Sequence, residues 1–249
     1  ATTTLYDQDF ENPANYVNDN RDINISTTVN GNYGNQPAGF AFAQTFTVET
    51  LNISGSQRGS NRGAFVNGYI DPTGQGGDFA VGLQNRDQND LLGLSFDVGA
   101  FDFFNVQIDI SSIDLSTFGA PFVTAPNDMP VFQFTLFDNP SGANTTGGGT
   151  ILEQTTLTGT RSARDTFDWT TGLFGLSTAG NSNGNVTLQI DLLAGGYAAF
   201  DHLTITPADA PTAADEAAEV ERGPLPQIGV EPEGDDIIRP QPRPTDLAE

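Results

Sequence analysis

The 249 residues suffice for one large β domain or two smaller ones, and cysteine is absent. Acidic residues outnumber basic ones 32 to 9, every basic residue is arginine, and the net charge is −23. Such a surface repels nucleic acid and anionic membrane, and the missing thiols exclude disulfides, thiolate metal sites and a cysteine nucleophile.

The opening Ala-Thr-Thr-Thr reads as the run left after removal of a signal peptide, which predicts an extracellular or cell-surface protein. No apolar run approaches the ~18 residues that span a membrane. Asn-x-Ser/Thr triplets begin at Asn24, Asn52, Asn144 and Asn185, as an exported, glycosylated chain would allow.

Period-two alternation dominates, and helix signals are nearly absent. Strands are predicted over 41–48, 63–70 and 79–83, the second closed by the turn Asp71-Pro72-Thr73-Gly74. Further strands are predicted over 91–98, 103–110, 131–137, 150–157, 186–192 and 198–206. Phe104, Val106, Ile108 and Ile110 share one face, as do Phe132, Phe134 and Leu136, and Val186, Leu188, Ile190 and Leu192. The opposite faces carry Gln107, Asp109, Gln133, Thr135, Thr187, Gln189 and Asp191. One apolar and one polar face is the pattern of a sandwich strand. The fold class is therefore all-β, a two-sheet antiparallel β-sandwich (jelly roll) spanning residues 1–206.

Composition changes at Pro207. Residues 207–249 hold eight prolines and eleven acidic residues against three arginines, with no aromatic residue. This is an extended acidic tail, outside the core. Its apolar points, Leu225, Ile228, Ile237 and Ile238, are candidate anchors on a partner or a neighbouring subunit.

Catalytic groups are scarce. His202 is the only histidine, no Gly-x-Ser-x-Gly elbow occurs, and the body holds only Glu11, Glu49 and Glu153 as glutamates. No spacing singles out a carboxylate pair for glycoside hydrolysis, and one histidine without cysteine argues against zinc. The expectation is a non-enzyme. Oxygen ligands are plentiful instead. Asp9-Phe10-Glu11-Asn12 near the start and Phe200-Asp201-His202-Leu203 near residue 200 would meet if the first and last strands pair, and hard oxygen ligands suit calcium. Asp87, Asn89 and Asp90 form a second acidic loop without the glycine and distal glutamate of an EF-hand, read as solvated.

The segment Asp9-Phe10-Glu11-Asn12, together with the closing Ala199-Phe200-Asp201-His202-Leu203-Thr204-Ile205-Thr206, resembles jelly-roll carbohydrate-binding modules and galactose-binding-like sandwiches of bacterial exported surface proteins. The resemblance covers the two ends of residues 1–206. It implies a structural calcium held by Glu11 and Asp201, with Asp9 as a further candidate; His202 departs from the Asp or Asn common at its position. Sugar binding calls for exposed aromatic platforms, for which the candidates are Trp169, Tyr69, Tyr197 and Tyr33. The leading expectation is a calcium-stapled surface protein that self-assembles, as a homo-oligomer or with another surface protein. The alternative is a carbohydrate-binding module whose partner is a glycan.

Overall fold

The computed structural model describes residues 4–17, 27–54, 69–85, 88–113, 129–163 and 165–208. Among these residues eleven strands form two antiparallel sheets, with one short helix between the first strand and the second. They are β1 (Tyr6–Gln8), β2 (Ala41–Gln44), β3 (Glu49–Asn52), β4 (Phe79–Gln84), β5 (Leu91–Asp97) and β6 (Phe103–Ser112). After these come β7 (Val131–Asp138), β8 (Ile151–Thr158), β9 (Thr170–Ser177), β10 (Asn185–Ala194) and β11 (Tyr197–Ala208). The helix, α1 (Val29–Tyr33), is capped by Thr28, whose hydroxyl accepts from the Gly31 N–H. No helix among the described residues is long and apolar enough to cross a membrane.

One sheet has the order β3-β4-β11-β6-β9, with β1 added to β11; the other runs β2-β5-β10-β7-β8. First and last strands do pair, with Tyr6 opposite Ile205 and Gln8 opposite Leu203. The expected inner faces form the core between the sheets. Phe104, Val106, Ile108, Ile110, Phe132, Phe134, Leu136, Val186, Leu188, Ile190 and Leu192 are all 0% exposed. Each such side chain contributes about 1.5–3 kcal/mol on leaving water.

The expected strand at 41–48 is two pieces. Residues 45–48 turn the chain from β2 in one sheet to β3 in the other. The strand expected over 63–70 falls mainly outside the described residues, as do Asn24, Asp87, and the tail anchors Leu225, Ile228, Ile237 and Ile238. Strand β11 runs on to Ala208, with Pro207 opposite Phe104.

The polar outer faces are not simply solvated. Over the five-stranded sheet, residues 139–150 fold back from β7 before entering β8. Asn144 Nδ2 donates to the Phe42 carbonyl (2.9 Å) and Gln189 Nε2 to the Thr146 carbonyl (2.7 Å), which fasten the loop down. Thr135 and Thr187 are thereby buried. Gly93 lies beneath this loop, where a Cβ would stand 2.2 Å from the Thr145 carbonyl oxygen. That neighbour is backbone and cannot step aside. Gly93→Ala is expected to cost about 1–3 kcal/mol, as overpacking does. A denaturant midpoint unchanged from the parent would contradict this packing.

Over the six-stranded sheet a second apolar cluster forms from Leu51, Ile53, Tyr69, Ala80, Ile113, Phe167, Tyr197 and Ala199, with Trp169 against it.

Candidate functional site

The pairing of β1 with β11 builds an acidic corner. After β1 the chain turns at Phe10, whose φ of 56° is in the left-handed region. The Phe10 ring is fully buried, edge-on to Tyr33 (4.9 Å) and Phe200 (5.5 Å). The Tyr33 hydroxyl donates to the Phe10 carbonyl at 2.6 Å. Asp9 Oδ1 accepts from the Glu11 N–H at 3.1 Å. The Glu11 carboxylate accepts from the N–H groups of Asp78 (2.8 Å) and Phe79 (3.2 Å), capping the entry to β4. Gly77, at φ 54°, makes room for it: a Cβ there would stand 2.4 Å from Glu11 Oε1.

On the other side, β11 carries a bulge between Asp201 and Thr204, and His202 at its centre has φ 47°. Asp201 is 0% exposed. Its Oδ1 accepts from the His202 N–H at 2.8 Å, while Oδ2 is buried without a hydrogen-bond partner. His202 Nδ1 lies 3.3 Å from Asp109 Oδ2 and 3.4 Å from Asp201 Oδ2. Thr171 donates to the other oxygen of Asp109. Burial pushes the Asp201 carboxyl up to about 9; the His202 N–H opposes this, and the negative charges of Glu11, Asp109 and Asp9 add to it.

The three expected calcium ligands thus share one corner, but no group of three His, Cys, Asp or Glu side chains among the described residues is gathered to hold a metal. Asp9 and Glu11 are engaged with backbone amides. Asp201 Oδ2, by contrast, is buried without a hydrogen bond and has His202 Nδ1 3.4 Å away.

The aromatic platforms need correction. Tyr33, Tyr69 and Tyr197 are 0%, 8% and 4% exposed, so they are core side chains. The Tyr197 hydroxyl is bonded to the buried Glu49 carboxylate. Trp169 is half-buried, stacked parallel on Phe167 at 5.0 Å with Gly76 closely packed against it. The second cluster claims all three of Tyr69, Tyr197 and Trp169. Asp90 is also not solvated. It is 0% exposed and accepts from Thr45, Thr47 and the Gln84 N–H.

A recess that opens to solvent lies at one end of the five-stranded sheet. It encloses about 160 Å³ among Ala41 of β2, Ser95 and Asp97 of β5, Asn139 and Asn144 of the β7–β8 loop, and Asn185 of β10. Its frame is rigid. Asn139 Nδ2 donates to the Ala143 carbonyl (2.8 Å) and Thr187 Oγ1 (3.1 Å), and its N–H donates to the Asn185 carbonyl (3.0 Å). Asp97 Oδ1 accepts from the Gly99 N–H at 2.7 Å. The side-chain amide of Asn185 makes no hydrogen bond among the described residues. Asn144 and Asn185 stood out in the sequence only as glycosylation triplets, and nothing local announced that they converge.

No family model matches the chain, and no curated protein matches it. Solved structures do. The chain is similar to the xylan-binding CBM22-1 domain of Xyn10C from Paenibacillus barcinonensis, at 12% identity over 84% of this chain and 97% of that one, with a TM-score of 0.40. It is similar to the K1 cleaved adhesin domain of Lys-gingipain from Porphyromonas gingivalis, at 12% identity over 83% and 99%, with a TM-score of 0.43. A third is TmCBM61, solved in complex with β-1,4-galactotriose, at 9% identity over 68% and 88%, with a TM-score of 0.35. The two-sheet fold itself stands on the strand pairing described above.

Proposed function

We propose that this domain is a non-catalytic glycan-binding module of a secreted or cell-surface protein, with the asparagine-lined recess as its sugar site. The observation that carries the reading is the recess itself. Planar amides and a carboxylate, each able to donate to or accept from neighbouring hydroxyls, surround a small apolar wall. The cavity falls below the ~300–1,000 Å³ usual for ligand pockets, a size that suits one sugar ring rather than a wrapped chain. Titration calorimetry against a panel of neutral mono- and oligosaccharides tests it. Asn185→Ala removes an amide that holds nothing else in place, so the fold should survive. Affinity is expected to fall about tenfold, the scale of one lost polar contact. Equal affinity in parent and variant, or no binding to any sugar of the panel, would sink the reading.

The corner at Asp201 is proposed as a structural cation site. Calcium would hold Asp201 Oδ2 and neutralise a buried carboxylate, and Glu11 would join only by releasing an amide bond.

A further inference from the structure

We propose that Thr47 and Gln84 become joined by an intramolecular ester, with Asp90 as the proton carrier. Thr47 stands in the turn from β2 to β3, Gln84 ends β4, and Asp90 precedes β5. The three are 5%, 5% and 0% exposed, so the reacting atoms are screened from water.

Their contacts place a hydroxyl nucleophile between a carboxylate base and a carboxamide. The Thr47 hydroxyl donates to Asp90 Oδ1, so a carboxylate already holds the proton that a nucleophile must lose. Gln84 Nε2 lies 3.0 Å from Thr47 Oγ1, which sets the carboxamide against the hydroxyl oxygen. Asp90 is itself fixed: Thr45 Oγ1 donates to Oδ1 at 3.0 Å, and the Gln84 N–H donates to Oδ2 at 2.9 Å. Burial holds the Asp90 carboxyl above the ordinary carboxylate range, which suits it to taking and returning a proton. Most buried amides have both ends bonded. Gln84 Oε1 is buried without a partner.

The step balances without a co-reactant. Thr47 Oγ1 bonds to Gln84 Cδ, and the hydroxyl proton passes to Asp90 and on to Nε2. The Cδ–Nε2 bond breaks, and ammonia leaves. Water exclusion then protects the ester from hydrolysis. The link ties the β2–β3 corner to the end of β4, a covalent staple in a chain that has no cysteine.

Mass spectrometry of the purified full chain decides the matter. The expected intact mass is about 17 Da below that of the sequence, the ammonia expelled in acyl transfer. Trypsin, cutting after Arg21, Arg58, Arg62 and Arg86, should leave peptide 22–58 joined to peptide 63–86, and hydroxylamine should separate them. Thr47→Ala should restore the full mass, while Thr47→Ser should keep the loss. A parent chain of full mass without the joined peptides overturns the proposal, whatever the variants do. So does a loss that persists in Thr47→Ala, which would mark a succinimide at an Asn-Gly step instead.

Discussion

Phe200→Ala is expected to destabilise the domain by about 3–5 kcal/mol, the cost of removing a buried aromatic ring whose cavity cannot collapse. Phe200 is fully buried on β11, and the Phe10 ring meets it edge-on at 5.5 Å. Phe10 in turn is held by Tyr33 and by its own left-handed backbone. The cavity would therefore open beneath a corner that has little freedom to relax. Domains of this kind have only about 5–15 kcal/mol in total, so the variant should be close to unfolding at room temperature. Urea unfolding measures it, read as a lower midpoint with an unchanged slope. Leu173→Ala serves as the control. Leu173 is 48% exposed on β9, and its loss should stay within about 0.5 kcal/mol. Equal effects from the two substitutions would mean that the core is not where the sheets place it.

In the presence of a chelator, stability is expected to fall as pH rises from about 4 to about 9. The Asp201 carboxyl is raised from 3.8 to about 9 in the fold, first by burial. Between those values the folded chain binds the proton and the unfolded chain does not. Raising the pH then favours unfolding, by about 1.4 kcal/mol for each pH unit. At pH 7 the cost reaches about 4 kcal/mol relative to acid conditions. Asp201→Asn should remove that slope, gaining stability at pH 8 and little at pH 4. Calcium should stabilise the parent at pH 8, through preferential binding to the fold, and leave Asp201→Asn unchanged. Thermal melts at several pH values, with chelator and with calcium, separate the two claims. Absence of the slope refutes the buried carboxyl, whereas a calcium effect equal in both proteins refutes only the cation.

Much of the sandwich was legible because its central strands alternate cleanly. The inner faces of β6, β7 and β10 follow directly from Phe104 to Ile110, Phe132 to Leu136 and Val186 to Leu192. Strand β9 was not legible, for a physical reason. Gly172 stands where an inward side chain is expected, and a Cβ there would meet Leu157 Cδ2 at 2.3 Å. A glycine that makes way for a neighbour looks, in sequence, like a turn. Strands β1 and β3 are too short for period two to show. The segments Asp9–Asn12 and Phe200–Leu203 do lie together, because β1 pairs with β11. The sugar platforms failed because Tyr69 and Tyr197 are buried in a cluster assembled from six separate segments. Local pattern cannot tell an exposed tyrosine from one covered by residues far along the chain. The recess draws on three strands and a loop for the same reason, and its members are ordinary in their own neighbourhoods.

The position of β11 has a consequence in time. It lies between β4 and β6, so among the described strands the middle of the larger sheet is the last to be synthesised. Until residues 197–208 are available, β4 and β6 each present an open edge to any extended chain nearby. The pairs β3–β4 and β6–β9 can therefore be joined into one sheet only once β11 has emerged. The chain's high negative charge gives unfinished copies a reason to stay apart.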